Sequence, residues 1–586
     1  MLVAEPAAQA PGGAPISRSA RPVGSHVPPA DDLLADPARD LPDLIGRLVR
    51  RDPSMVVAID AGPDGERITV SCGDLVHRVR TLAVELAEAG VARGSCVAVW
   101  LPNWSDVLVW QFAVASRGAH VIGINTRYNV GEVTHVLRRA RPVVLAVADG
   151  FHGLDLLATL REAVAAADVP APSIAVVSGP GQSQAVGAHD VGAHDVGAYD
   201  VGAGSWSPAP PDGSAAELEL SDLGELAAAF TTSGSTGRPK LAAHRGSAVL
   251  GHAVADAAAI GLQRGDVVLC ALPLAGVFGF NTAMATLAAG GVCLLVPVFD
   301  PGAVLDAMAQ VGVTHVVGGD DLVLRLHDAW QLQPRDLSSW RWCGLANFQG
   351  RAPELATWAR DSFGTMTCGV YGSSEVFALT SMWPADEPEP GRWDAGGRVA
   401  HPGIAVRTVD PATDRVLATG EEGELQFRGP NVVDGYLGDP GAAARASTVD
   451  GWFRSGDLGV LLDEGAFVYV CRIGDALRLR GFLVDPAEIE LRLTEHPGVR
   501  VAKVVGVEAP DGATRAVAFV VVGVGEDRPS PEELRQWCAR SLAAFKVPDA
   551  VHLVAELPTV SGPNGTKILT SALREWAHAG HPSVSA

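Results

Sequence analysis

The chain has 586 residues, 47% of them hydrophobic and 19% charged, which is apolar enough for several packed cores and excludes general disorder. Acidic residues outnumber Lys and Arg by 67 to 45, a formal charge of −22 with no long basic run, so nucleic acid is not an expected partner: backbone binding is dominated by clustered cations. The eight cysteines stand apart with no Cys-x-x-Cys pair, and no window reaches the roughly 20 apolar residues of a membrane span; the expectation is reduced thiols in a cytoplasmic protein with no membrane partner, no zinc site and no disulfide scaffold.

Residues 1–32 carry Pro, Gly, Ala and polar residues without an apolar run of signal-peptide length, and read as a disordered tail. From Leu41 to about Ala148, apolar helical segments alternate with short β-rich runs such as Ser95–Leu101, the rhythm of an α/β domain with parallel strands. The run Ser173–Ser178 follows. Residues 180–215 are a low-complexity stretch in which Val-Gly-Ala-His-Asp occurs twice and Val-Gly-Ala-Tyr-Asp once, between Val186 and Asp200. So short a period cannot form a solenoid unit and holds little to bury, so it reads as a surface insertion, with His189 and His194 in an expanded loop rather than a metal cage. Strand-like runs recur at Val267–Cys270, Val292–Val296 and Thr314–Val317. The character changes near Arg472, with compact mixed runs at Val501–Val507 and Ala516–Val522 and a helical one at Pro531–Leu542. The expected division is a large N-terminal domain over 33–471 and a small α+β C-terminal domain over 472–586.

One segment of the large domain carries more chemistry than any other: Phe230-Thr231-Thr232-Ser233-Gly234-Ser235-Thr236-Gly237-Arg238-Pro239-Lys240. Gly234 and Gly237 let backbone N–H groups turn inward, Thr232, Ser233, Ser235 and Thr236 bring hydroxyl donors, and Lys240 adds a mobile positive charge, which together make a phosphate-sized cradle for ATP. The spacing is not the Walker pattern, where a Gly-Lys pair is followed by Ser or Thr; here Lys240 follows Arg238-Pro239 and precedes Leu241. A kinase or P-loop ATPase is thereby disfavoured. Standing alone, such composition more commonly marks a solvated Ser/Gly turn.

Five further segments accompany it. Tyr371-Gly372-Ser373-Ser374-Glu375 joins an aromatic ring, a small turn and a carboxylate, and Gly451-Trp452-Phe453-Arg454-Ser455-Gly456-Asp457 sets a second carboxylate after a glycine turn. Arg472-Ile473-Gly474-Asp475 with Arg478 and Gly481, Gly565-Thr566-Lys567-Ile568, and Asn125-Thr126-Arg127-Tyr128 with Glu132 complete the set. Taken together, these segments resemble the adenylate-forming superfamily of acyl-CoA synthetases, nonribosomal adenylation domains and luciferases, from about residue 41 to 576.

The resemblance implies an ATP-dependent, AMP-forming ligase that uses Mg2+, built from a large α/β adenylate-forming domain with parallel sheets and a small, mobile α+β C-terminal domain. It places Thr232, Ser233, Ser235, Thr236 and Lys240 on the departing pyrophosphate, with Gly234 and Gly237 in the same nucleotide-binding loop. Tyr371 would lie against adenine, Ser374 would reach the α-phosphate, and Glu375 would hold Mg2+. Asp457 would accept both ribose hydroxyls with Arg472 assisting, and Lys567 would come from the small domain to the reacting oxygens. Lys567, Lys240 and Ser374 are thus the catalytic candidates. The chemistry supports these residue types without the family: attack on the α-phosphorus develops charge that a lysine and Mg2+ stabilise, and two vicinal hydroxyl donors match a carboxylate's two oxygens. In the family the small domain then rotates, withdrawing the lysine and presenting a glycine loop, here at Gly481, to the second substrate. The hinge position, usually Asp or Lys, falls on Gly474.

Three departures bear on the substrate. Family members often carry Pro-Leu-Phe-His before Val-Phe-Gly, where this chain has Pro273-Leu274-Ala275-Gly276-Val277-Phe278-Gly279; the aromatic and imidazole gate is absent. Asn347-Phe348-Gln349, ahead of Pro353-Glu354-Leu355, puts bulk where the family keeps a Gly-Gly-Ala strand, and Leu241 replaces the glycine after the cradle lysine. A filled pocket suits a small or aromatic acid better than a long fatty chain, whose methylenes need an open apolar tunnel. The expected function is activation of such an acid as an AMP mixed anhydride and its transfer to a nucleophilic acceptor, CoA or an arylamine, in natural-product (antibiotic) biosynthesis. Two other readings stand beside it: a diazotase that adenylates nitrite and converts an arylamine to a diazonium, and a non-catalytic nucleotide-binding homologue.

Overall fold

The computed structural model describes residues 38–579 except 63–64, 181–224, 233–238, 349, 474–476, 480–481, 485, 510–513, 524–527, 543–545 and 563–564. The expected tail over 1–32, residues 181–215 of the expected insertion, Ser233 to Arg238 of the cradle, Gly474 and Gly481 all lie outside the described residues.

Two large sheets organise the described part of the chain N-terminal to Arg472. In the seven-stranded sheet the order is Gly435–Tyr436, Leu241–Arg245, Leu226–Thr231, His120–Gly123, Cys96–Trp100, Val144–Ala148 and Ser173–Val177. Its strands are parallel from Leu226–Thr231 onward, and Cys96–Trp100 and Val144–Ala148 are buried at every residue, as parallel strands covered on both faces must be. Leu241–Arg245 folds back antiparallel on Leu226–Thr231, and Gly435–Tyr436 closes that edge, also antiparallel.

The thirteen-stranded sheet has a parallel half, in the order Met366–Tyr371, Trp342–Ala346, His315–Gly319, Val267–Cys270, Val292–Leu295 and Val56–Ala61. Its other half is antiparallel and includes Ser381–Met382, Gly396–Val399, Ala466–Arg472, Phe453–Asp463 and Glu422–Arg428. The expected parallel sheets are therefore mixed. The reason is connection length: Phe453–Asp463 and Ala466–Arg472 are joined by a tight turn, which only an antiparallel pair can accommodate.

Helix Ser105–Ser116 touches strands of both sheets, Gly246–Ile260 packs on the seven-stranded sheet and Val277–Ala288 on the thirteen-stranded one, and the latter two helices pack on each other. The first and third are buried at every position, which explains why they are apolar all round rather than striped. C-terminal to Arg472, Val499–Glu508, Thr514–Val522 and Ala550–Leu553 form a small sheet. Thr514–Val522 alternates: Ala516, Ala518 and Val520 face a core with Ile489, Leu493 and Leu534, while Val517, Phe519 and Val521 face a second core with Leu573. All eight cysteines are free and buried, and burial pushes the Cys96 thiol up to about 12, so it is inert. Among the described residues no helix is long and apolar enough to cross a membrane.

Strand Met366–Tyr371 sits where the parallel and antiparallel halves meet, and it does so by close backbone approach. A Cβ at Gly369 would overlap the Asp394 carbonyl oxygen. Gly369→Ala is expected to cost about 3 kcal/mol, because the obstacle is backbone rather than a side chain that can swing away. Urea unfolding of the variant checks this; an unfolding midpoint equal to wild type would show that the strand can shift freely.

Candidate active site

The cradle connects strand Leu226–Thr231 to the antiparallel strand Leu241–Arg245, so it spans a hairpin and is not followed directly by a helix. That sets it apart from a P-loop, whose phosphate rests on a helix N-terminus. Both ends are pinned. Thr232 N–H donates to the Lys240 carbonyl at 2.8 Å, and Lys240 N–H donates to Thr232 Oγ1 at 3.3 Å. Tyr128 Oη and Thr231 Oγ1 share a 2.7 Å hydrogen bond, and His135 Nε2–H donates to the Pro239 carbonyl at 2.7 Å. Tyr128 was among the residues singled out in the sequence. Glu132 was too, but it serves the capping box of helix Val130–Ala140, where its side chain accepts from Asn129 N–H.

Asp457 and Arg472 stand opposite one another on neighbouring antiparallel strands. Arg472 Nη1 lies 3.0 Å from Asp457 Oδ1 and also donates to the Ser455 carbonyl at 2.6 Å. Tyr371 Oη donates to the other carboxylate oxygen, Oδ2, at 2.6 Å. The Tyr371 ring is itself held in an aromatic cluster with Phe427, Phe467 and Tyr469. Burial raises the Asp457 pKa above the usual carboxylate range, while the Arg472 charge and the Tyr371 hydrogen bond pull it back. Burial works against the Arg472 charge, yet Asp457 and Tyr371 outweigh it and raise its pKa.

Glu375 belongs to the same electrostatic site, since its charge contributes to the shifts of both Asp457 and Arg472. Tyr436 Oη donates to Glu375 Oε1 at 3.2 Å, and the Lys240 ammonium lies 4.9 Å from the centroid of the Tyr436 ring. The second Glu375 oxygen has no protein partner among the described residues. One such hard oxygen donor beside incoming phosphates fits Mg2+, which keeps most of its shell for water and phosphate; no group of three His, Cys, Asp or Glu among the described residues could hold a metal alone. The backbone around Glu375 is fixed from both sides. His244 Nε2–H donates to the Ser374 carbonyl at 2.7 Å, and His252 Nε2–H donates to the Ala378 carbonyl at 2.9 Å. Between them, Phe377, Ala378 and Leu379 all adopt positive φ, and the fully buried Phe377 ring packs on both imidazoles. A run of such residues persists only where its surroundings over-determine it.

Lys240, Tyr371, Ser374, Glu375, Asp457 and Arg472 thus converge, with Thr232 at the cradle's entrance. Ser374 is buried. The backbone of Lys567 lies in strand Gly565–Ile568, opposite Val560, and that strand rests against helix Asp320–Leu332. Phe348 is 42% exposed and its ring lies over Gly319, so it covers the ends of adjacent parallel strands rather than filling a closed interior. Asp320 holds it there, accepting from the backbone N–H groups of Phe348 and Arg351. A small apolar cavity lies elsewhere, lined by Val99, Gly123, Phe230, Ala275 and Phe280 with Gln111 as its polar member. Sequence reasoning missed Tyr436, His135, His244 and His252. The local signals were slight: an aromatic after a Gly turn, and single histidines in otherwise apolar or helical runs.

The family described as AMP-binding enzyme matches residues 47–437, and the one described as AMP-binding enzyme C-terminal domain matches residues 488–562. The chain is 31% identical over 527 residues to a 3-[(3aS,4S,7aS)-7a-methyl-1,5-dioxo-octahydro-1H-inden-4-yl]propanoyl:CoA ligase of Rhodococcus jostii (strain RHA1), covering 87% of this chain and 96% of that protein. It is 31% identical over 507 residues to a feruloyl-CoA synthase of an Amycolatopsis species, covering 86% and 92% respectively. Among solved structures, the amide bond synthetase McbA from Marinactinospora thermotolerans superposes with a TM-score of 0.75 at 27% identity, over 91% of this chain and 99% of that one.

Burial lowers the His244 pKa from 6.5 to about 4, despite its bond to Ser374. The unfolded chain therefore binds this proton more readily, so His244 contributes stability that is present above pH 6.5 and is lost as pH falls toward 4. His244→Gln, whose amide can still donate to Ser374, is expected to lose about 2 kcal/mol less stability than wild type between pH 7 and pH 5. Denaturant unfolding at the two pH values measures the difference, and equal losses would mean that His244 is not held neutral.

Proposed function

Since the chain belongs to the AMP-binding enzyme family of ATP-dependent, AMP-forming ligases, we propose that it activates a small or aromatic acid as an AMP mixed anhydride and transfers it to a second nucleophile. The observation that carries this reading is the convergence of a pinned phosphate loop with Lys240, a carboxylate at Glu375, and the Asp457–Arg472 pair in one electrostatic site. In this reading Asp457 accepts the ribose hydroxyls, with Arg472 and Tyr371 holding its two oxygens in orientation. Ser374 meets the α-phosphate and Lys240 the departing pyrophosphate. Glu375 would hold Mg2+, which supplies charge neutralisation at the phosphates when bound. The large domain spans 33–471; the small domain, 472–586, moves between two orientations and brings Lys567 to the reacting oxygens in one of them.

The relatives support both acceptor classes considered. Two are named as CoA ligases or synthases, one of them for the feruloyl group, and one is named an amide bond synthetase. CoA is the acceptor in the first case and an amine in the second. Nitrite with an arylamine acceptor, in which the diazonium is the product, is the second reading; the departures at Ala275-Gly276 and Asn347-Phe348 are compatible with it. Biosynthesis of an antibiotic-type natural product is the setting in which either reaction would serve.

Pyrophosphate release over a panel of short, aromatic and long-chain acids, with nitrite included, tests the reading. Aromatic or short acids should give AMP and pyrophosphate, whereas ADP as the main product would sink it. Nitrite turnover with an arylamine, and a diazonium trappable by azo coupling, would establish the second reading instead. Binding of ATP without pyrophosphate release for any acid would point to a non-catalytic homologue. Lys240→Ala should lower kcat about a hundredfold, and Asp457→Ala should act mainly by raising the KM for ATP.

Lys567→Ala should abolish most adenylate formation while leaving transfer from a supplied adenylate largely intact, because the lysine acts in one orientation of the small domain only. Single-turnover assays of each half-reaction separate the two. Equal loss in both would show that Lys567 is structural.

A further inference from the structure

The scheme above leaves Tyr436 without a task, although it touches both charged groups at the phosphate end of the site. We propose that Tyr436 is a positioning residue that holds the cradle lysine and the Glu375 carboxylate side by side while preventing them from neutralising one another; the proposal rests on the adenylation reading.

Three observations carry it. Tyr436 is 6% exposed and its backbone is zipped to the strand that begins immediately after Lys240, with Tyr436 opposite Ala242 and Gly435 opposite Ala243. The ring is thereby set next to the lysine by sheet register rather than by a flexible loop. The two functional groups of the phenol are then divided: the ring face takes the Lys240 ammonium at 4.9 Å, and the hydroxyl donates to Glu375 Oε1 at 3.2 Å. Finally, the segment leading to Tyr436 is tied to the backbone at Glu375. Val433 N–H donates to the Glu375 carbonyl at 2.7 Å, and Asn431 Nδ2 donates to the Val376 carbonyl at 2.7 Å.

The physical consequence follows from charge. A lysine and a glutamate brought to one phosphate end attract each other, and a direct ion pair between them would consume the charges that pyrophosphate and a divalent cation need. An aromatic face attracts an ammonium through its quadrupole without supplying a formal negative charge, so it leaves the Lys240 charge uncompensated for phosphate. A phenol O–H occupies one carboxylate oxygen without supplying a positive charge, so it leaves the Glu375 charge uncompensated for a cation. Tyrosine is the side chain that does both from one ring.

The two functions separate by substitution. Tyr436→Phe keeps the ring and loses the hydroxyl; Tyr436→Leu loses both. Calorimetric titration of ATP without Mg2+ reads the Lys240 half, and the Mg2+ concentration for half-maximal pyrophosphate release reads the Glu375 half. Tyr436→Phe should raise that Mg2+ concentration about tenfold, the loss of one hydrogen bond to a charged group. Tyr436→Leu should in addition weaken Mg2+-free ATP binding about tenfold, and this loss should vanish in a Lys240→Ala background, where there is no ammonium to place. The proposal is overturned if Tyr436→Phe leaves the Mg2+ dependence unshifted, if the two variants bind Mg2+-free ATP alike, or if the Leu and Lys240→Ala losses multiply. Should Tyr436→Leu not fold, the Phe variant still decides through its Mg2+ dependence. Wild type that binds ATP but releases no pyrophosphate defeats the adenylation reading alone, since the Mg2+-free titration still reports on Tyr436.

Discussion

The site depends on keeping one carboxylate, Asp457, almost wholly out of water. A carboxylate that is 5% exposed must be paired, because removing a partner from a buried ion pair costs about 3–5 kcal/mol. Arg472 and Tyr371 do the pairing, and each arrives from a different strand of the large sheet. Arg472 is delivered by register, being directly opposite Asp457. Tyr371 is delivered by packing, through an aromatic cluster in which Phe427 and Phe467 are fully buried. The junction of the parallel and antiparallel halves of the sheet is what brings these three residues to one place.

A second constraint operates at the cradle, where the problem is backbone geometry rather than buried charge. The cradle is closed at its base by the Thr232–Lys240 backbone pair and braced from the neighbouring helical segment by Tyr128 and His135. The turn bearing Glu375 is braced by His244 and His252, both buried and both donating to carbonyls. These histidines do their work neutral: burial takes each to about 4, and the partner carbonyl needs only the Nε2 proton. The strained run Phe377-Ala378-Leu379 is stable because a fully buried ring and two imidazoles leave it no alternative.

Much of the fold was legible locally. The strand at Val267–Cys270 appears with the boundaries that its β-branched run suggested, and Ser173–Val177 and Cys96–Trp100 are within a residue of theirs. Helix Pro531–Ala539 ends earlier than its apolar pattern, which runs on to Leu542 in the turn beyond. The run Ala516–Val522 is apolar at every position because each face of that strand meets a separate apolar core. The parallel strands expected from the strand–helix alternation between Leu41 and Ala148 are present at Cys96–Trp100, His120–Gly123 and Val144–Ala148. What no local pattern recorded was the antiparallel half of the large sheet, which follows from short connections such as the turn between Phe453–Asp463 and Ala466–Arg472. The reading of Phe348 as a pocket-filling ring was also local, and the structure sets that ring half-exposed over Gly319, held by Asp320.

From the sequence alone came the chemistry: which side chains carry charge, hydroxyls and glycine freedom, and in what order, so that Lys240, Tyr371, Glu375, Asp457 and Arg472 could be named before their positions were known. In the proposed reading their residue types answer to phosphate, ribose and adenine, and such demands are written into short contiguous motifs. The tertiary structure alone decided the residues that hold them. Tyr436 matters because it lies opposite Ala242 in a sheet, His244 because it faces the Ser374 carbonyl, and His135 because a helix passes beside Pro239. Those contacts join segments about a hundred residues or more apart, and no local pattern records a neighbour that exists only after the sheets have formed.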